Sequence, residues 1–264
     1  MTAPGLAYDF TGQSKGFDVS LNGELNTFGL AHDVILGANY ANQSRDDSFD
    51  EYSNSIVDPL NPNAVLAKLG SRTLNRTRDT QSEMTQKGLY ALWRLHLTDR
   101  TTLLLGSRVS DSRLSSATKN PATGAITVRS QEQENGEVTP YGGLVYELTP
   151  AWSAYASYTE IFEPQSALDA SLNILQPMTG VNYETGLKGE LFEGALVTSV
   201  ALYRTEQKGR AVTDFESPRL CSGSYCSRAA GKVRSEGIEI EAHGELTDNL
   251  QINAGYTYNH NEYL

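Results

Sequence analysis

Apolar and polar residues alternate one for one through about ten separate segments of this chain, and no other feature limits its fold so tightly. Residues 249–259 carry the pattern most plainly. Leu250, Ile252, Ala254, Tyr256 and Tyr258 hold the even positions, while Asn249, Gln251, Asn253, Gly255, Thr257 and Asn259 hold the odd ones. Successive side chains of a strand point to opposite faces, so each segment has one greasy face and one wet face. The connections are of two kinds: short ones near residues 30, 99, 150, 193 and 248, and long polar stretches between them. Strands of this type, with short turns at one end and long loops at the other, describe the wall of a transmembrane β-barrel. A soluble sandwich or propeller also alternates, but does not sort its connections so regularly.

The first strand is read over residues 16–26, with Phe17, Val19, Leu21 and Leu25 opposed to Asp18, Ser20, Asn22, Glu24 and Asn26. The third sets Leu89, Ala91, Trp93, Leu95 and Leu97 on one face, and the sixth sets Trp152, Ala154, Ala156 and Tyr158. The eighth is apolar on both faces (Leu196, Val197, Val200, Ala201, Leu202), which leaves its sides unassigned. Polar loops are read over residues 43–80, 112–135, 163–179 and 207–231. Strands of about 9–13 residues suit the ~9–11 needed to cross hydrocarbon at a tilt. Tyr40, Tyr146, Trp152, Tyr158, Tyr256 and Tyr258 lie towards strand ends, where aromatic girdles belong.

Mean hydropathy is −0.41, and 20% of residues are charged. Both suit a barrel, in which only half of each strand meets lipid. No run approaches 18 apolar residues, which excludes a transmembrane helix. A net charge of −11 argues against a nucleic-acid partner, which calls for a basic surface. The chain opens without a basic or apolar leader, so the secretory signal that an outer-membrane protein needs is expected upstream of this segment. Cys221 and Cys226 share one loop, compatible with a small disulfide in an oxidising compartment or with two free thiols; an extracellular loop favours the disulfide. Zinc would need more ligands than that loop offers.

Certain stretches resemble a known family. LTPAWSAYASYTEIFEPQS at 148–166, LQPMTGVNYETGLKGE at 175–190, VRSEGIEIE at 233–241 and AGYTY at 254–258 are similar to the barrel of TonB-dependent ferric-siderophore receptors, nearest the hydroxamate, coprogen and pyoverdine group. The resemblance covers most of residues 16–261. It implies an all-β fold, an antiparallel up-and-down transmembrane β-barrel, here incomplete, with about ten strands of a larger plugged barrel across residues 1–264 and neither plug nor signal peptide. It implies a ferric siderophore as ligand, outer-membrane lipid as surroundings and the TonB–ExbB–ExbD complex as the energy source, reached through an N-terminal part outside this segment. It implies no cofactor and no resident metal, since the siderophore holds the iron, and no enzyme activity. Such a fragment is not expected to transport alone. The alternative is a small passive or structural barrel of about ten strands.

Candidate chemistry is sparse. An outer-membrane protease would need carboxylate and His-Asp pairs together at one rim. His32-Asp33 falls at the short-turn end and Asp46-Asp47 at the other, while His260 has only Glu262 beside it. His96 and His243 read as lumen-wall residues. Glu184, Lys188, Glu190, Glu239, Glu241 and Glu245 read as charged lumen stripes serving wall-to-plug bonding. DPLNPNA at 58–64 is faintly similar to a haem-receptor loop, as Asn-Pro pairs in any turn-rich loop are. Bulky, partly apolar siderophore complexes suit aromatic and Arg contacts. On the loop side, Phe162, Tyr203, Phe215 and Tyr225 qualify by position as weak ligand-binding candidates.

Overall fold

The protein is described by a computed structural model, which covers residues 2–3, 6–27, 29–51, 55–56, 75–217, 220–221, 224–247 and 249–264. Ten strands form one sheet: β1 (Leu6–Thr27), β2 (Leu30–Glu51), β3 (Asn75–Thr98), β4 (Thr101–Lys119), β5 (Ile126–Thr149), β6 (Trp152–Glu163), β7 (Met178–Leu191), β8 (Leu196–Thr213), β9 (Ser227–Thr247) and β10 (Leu250–Tyr263). Each pairs antiparallel with its neighbour in sequence, so the spatial order is the chain order, with β1 and β10 at the edges. Two-residue ladders join Thr2–Ala3 to Ser55–Ile56 and Leu220–Cys221 to Ser224–Tyr225.

All five short connections fall where the alternation breaks. The strands are longer than their apolar pattern: they run from 12 to 24 residues. Residues 43–51, 75–80, 112–119, 126–135, 207–213 and 227–231, read as loop from sequence, are strand. The physical reason is that backbone ladders need no apolar face. Beyond the band both faces meet polar surroundings, so the two-residue signal fades while the hydrogen bonds continue. The motif at 58–64 lies outside the described residues.

Cross-strand register assigns the faces. Val19, Ala38, Leu89, Val109 and Val138 form one lateral row, each paired with the next, from β1 to β5. On β8, Val200 pairs with Leu187 and Ile240, and Leu202 with Ile238. The ambiguous strand therefore turns Leu196, Val200 and Leu202 to the apolar face, and Val197, Ala201 and Tyr203 to the polar one. Leu21 (70% exposed) and Leu89 (65%) are far too open for a core; they form a surface meant for lipid. The band is rimmed by Tyr146 and Trp152 at the turn end, and by Phe17, Tyr40, Tyr158, Tyr183 and Tyr258 at the other. Phe17 sits directly opposite Tyr40, and the Tyr158 and Tyr183 rings lie 5.4 Å apart.

On the polar face, tyrosines lie over glycines of the adjacent strand. Tyr90 faces Gly37, Tyr141 faces Gly106, Tyr155 faces Gly186 and Tyr203 faces Gly237. A Cβ on Gly37 would come within 2.1 Å of Tyr90 Cζ, so these positions need hydrogen where any other residue has a side chain. Above the band, two strands bend at bulges. The register slips between Ser110 and Ser112 opposite Gly136 (φ 70°), and between Gln207 and Arg210 at Gly209 (φ 75°). Positive φ at the extra residue is what glycine supplies without strain.

Candidate functional site

The strand extensions gather an aromatic and charged group on the polar face at the long-loop end. Register sets Tyr8 opposite Phe49, Phe10 opposite Asp47, and Arg78 opposite Phe49. The Tyr8 hydroxyl donates to Asp47 Oδ1 at 2.6 Å, and Arg45 Nε donates to the same oxygen at 2.7 Å. The Arg45 guanidinium also reaches the Tyr8 hydroxyl and lies 5.2 Å from the Phe10 ring centre. Its neighbour Arg78 lies 5.0 Å over Phe49. These residues stand well beyond the apolar band. There the hydrogen bond to the Asp47 carboxylate favours the neutral phenol and holds Tyr8 above its ordinary titration range.

Two connections close over this group. Residues 164–177, between β6 and β7, form a folded strap rather than an open loop. Leu168 bridges to Ile174, the Asp169 carboxylate accepts from the backbone of Ser171 and Asn173 at 2.8 and 2.9 Å, and Ile174 and Leu175 are buried. The cysteine loop docks on the strap: Ser227 donates to the Leu168 carbonyl at 2.8 Å, and Cys221 Sγ rests 3.2 Å from the Asp169 carbonyl oxygen. Cys221 and Cys226 are joined in a disulfide (Cα–Cα 4.9 Å), and Cys226 is fully buried.

Between strap, disulfide and strand extensions lies a cavity of about 380 Å³, lined by Tyr8, Phe49, Arg78, Ser130, Leu168 and Tyr225 among others. Its wall mixes ring faces, the Arg78 cation, the Asp47 carboxylate and hydroxyls. The hydroxyl of Ser130, a residue only 6% exposed, has no hydrogen-bond partner among the described residues. A buried, unsatisfied hydroxyl on a cavity wall is a group awaiting a ligand or water. The chemistry suits non-covalent capture of a bulky, partly aromatic molecule with acceptor oxygens.

Of the four candidates chosen by position, the structure brings two together. Tyr225 lines the cavity and meets Phe215 edge-on at 5.2 Å. Tyr203 lies deeper, over Gly237 on the lumen wall. Phe162 follows Tyr158 and Glu160 along the outward row of β6, pairs with Thr179 and faces away from the cavity. Sequence reasoning singled out none of Tyr8, Arg45, Phe49 and Arg78 and weighed Asp47 only in the Asp46-Asp47 pair; Tyr8 precedes the first strand read from sequence, and the others lay in a stretch read as loop. The residual signal was their spacing of two: Tyr8 with Phe10, and Arg45 with Asp47 and Phe49.

Lower on the lumen face, His96 sits between Asp33 (3.2 Å) and Thr102 (3.3 Å), while Arg94 lies 3.5 Å from Asp33. His32 belongs to the opposite face, buried with its ring edge-on to Trp93 at 5.5 Å. The sequence pair His32-Asp33 is therefore split by the pleat and cannot act jointly on one water. Tyr155 donates to Glu184 at 2.5 Å and Lys188 lies over the Tyr155 ring at 5.1 Å, so part of the charged stripe is bonded within the wall. Among the described residues, no three His, Cys, Asp or Glu side chains gather as metal ligands.

The comparisons agree with this geometry. Residues 2–264 match the family model described as TonB dependent receptor-like, beta-barrel. The chain is 38% identical over 270 residues to the ferric-pyoverdine M114 receptor of Pseudomonas sp. (strain M114), covering 98% of this chain and 32% of that protein. It superposes with a TM-score of 0.79 on the ferripyoverdine receptor of Pseudomonas aeruginosa bound to ferripyoverdine, at 28% identity, covering 98% of this chain and 34% of that one. The alcaligin outer-membrane receptor of Bordetella pertussis aligns at TM-score 0.72 and 30% identity, over 98% and 40% of the two chains. The chain thus spans about a third of the length of the curated relatives it matches. Ordered up-and-down strands, an apolar band rimmed by aromatics and a family match across the described wall carry one conclusion: this chain belongs to the TonB-dependent receptor-like β-barrel family.

Proposed function

We propose that this chain forms part of the barrel wall of an outer-membrane receptor that imports ferric siderophores of the pyoverdine kind. The observation that carries this reading is the roofed cavity at the long-loop end, with its rings, Arg78 and the unsatisfied Ser130 hydroxyl. It stands on a scaffold similar to receptors whose names specify ferric pyoverdine. The wall captures and orients; it performs no covalent chemistry and needs no cofactor, because the siderophore supplies the iron ligands. Release inward is powered by TonB–ExbB–ExbD acting on a plug, a shift of populations driven by an external partner. The unpaired edges of β1 and β10 would each leave backbone groups bare in hydrocarbon, at several kcal/mol per group. Further strands of the complete barrel cover them.

Deleting the gene and supplying ferripyoverdine as the only iron source tests the proposal. Growth should fail, return with the complete gene, and return poorly with Arg78→Ala combined with Tyr225→Ala, whose binding should weaken about tenfold or more. Undiminished growth of the deletion strain, with no second pyoverdine receptor in the genome, would sink the reading.

A further inference from the structure

One side chain ties the roof of the cavity to its wall. β7 begins at Met178, and its ladder with β8 ends at the pair Lys208–Thr179. Residues 209–213 of β8 therefore lack a neighbour on that side, and the bulge at Gly209 takes that residue out of the β9 ladder as well. Backbone groups left in this way call for a partner. The Gln165 amide supplies it. Its Nε2 donates to the Gly209 carbonyl at 2.8 Å, and its Oε1 accepts from the Ala211 amide at 3.1 Å. The same Nε2 also contacts the Gln176 carbonyl, joining the two feet of the strap. Gln165 thus does with one side-chain amide what a further β7 residue would do with its backbone.

The next three residues, Ser166, Ala167 and Leu168, line the cavity, whereas Gln165 does not. From there the chain enters the buried turn at Ile174 and Leu175 and the contact with the disulfide loop. Strap and cysteine loop are therefore one roof, fixed at its foot by Gln165 and at its far side by Ser227 and Cys221.

We propose that Gln165 is the positioning residue of this cavity: its amide, standing in for a missing β7 residue, holds residues 166–168 over the bound ligand and sets how long that ligand stays. The proposal rests on the receptor reading above. Gln165 itself lies outside the cavity lining, so its effect belongs in the dissociation rate, with association left nearly unchanged.

The test uses the complete receptor in outer-membrane vesicles with ferripyoverdine as probe, comparing Gln165 with Gln165→Met, which keeps the length and removes the amide. Dissociation should quicken about tenfold in Gln165→Met, the effect of losing two to three hydrogen bonds. Reduction of the Cys221–Cys226 disulfide by a water-soluble phosphine should quicken as well, since the roof that buries it loosens. Gln165→Glu supplies a second variant. Its carboxylate repels the carbonyls at pH 7, and its protonated form regains a donor near pH 4. Its roof should be loose at neutral pH and recover on acidification, a rescue that Gln165→Met cannot show. Equal dissociation and equal reduction rates for wild type and Gln165→Met would overturn the proposal. If the wild type itself fails to bind ferripyoverdine, the receptor reading fails for that ligand, while the reduction rates still decide the role of Gln165.

Discussion

β4 is one strand with two characters. From Leu103 to Val109 its outward face carries Leu103, Leu105 and Val109 and its neighbours match it; from Asp111 to Lys119 the same ladder with β5 continues with mostly polar residues on both faces. The backbone does not distinguish the two halves. What changes is the solvent each face meets. The comparison separates two properties that a sequence pattern merges: alternation reports which medium a face touches, while strand formation depends on finding a partner for every N–H and C=O.

A cation placed in each half makes the sharpest contrast. Leu105→Arg puts a charge in the lipid band and should cost about 2–4 kcal/mol in urea unfolding of the complete receptor in vesicles. Ser115→Arg, ten residues along the same face, should stay within about 0.5 kcal/mol. Equal costs would erase the distinction between band and extension.

Glycines divide the same way. Gly37→Ala drives a methyl into the Tyr90 ring and displaces the Tyr90 hydroxyl from Asp18, 3.1 Å away. It should cost about 1–3 kcal/mol in the same assay. Gly12→Ala, in the extension of β1, meets nothing within 4 Å and should be neutral.

The disulfide belongs wholly to the extended half. Replacing Cys221 and Cys226 by Ser should loosen only the roof, by about 2 kcal/mol or less. Faster proteolysis between residues 214 and 227 should report it, with band stability unchanged. The smallest effect is in the Tyr8 phenol, raised by its bond to Asp47. A raised value means the neutral phenol is favoured in the fold. Its contribution is complete below the ordinary value of 10.0 and fades as pH climbs through the higher folded value. Phenolate titration by ultraviolet difference should show a late-titrating tyrosine fraction that falls by one residue in Tyr8→Phe.

How much could be read in advance follows from the same division. The turns, the face assignments of β1 to β7 and the aromatic rims were legible because lipid imposes a strict alternation on one face. β8 was not, because Val197 and Ala201 place apolar groups on the lumen side, and only pairing with Leu187 and Ile240 decides its sides. The site was the least legible part. Tyr225 was singled out by its loop position, but Tyr8, Asp47, Phe49 and Arg78 converge through register between strands whose polar extensions carry only a spacing of two, with no apolar face to mark it. Gln165 was invisible for a further reason: its role depends on where β7 stops.

Amide hydrogen exchange of the complete receptor in lipid tests the central claim most directly, read over residues 112–119 and 126–135. The account predicts protection there comparable to residues 101–109, because the ladder continues beyond the apolar band. Exchange at the rate of an open chain in those segments, with protection confined to the band, would contradict it.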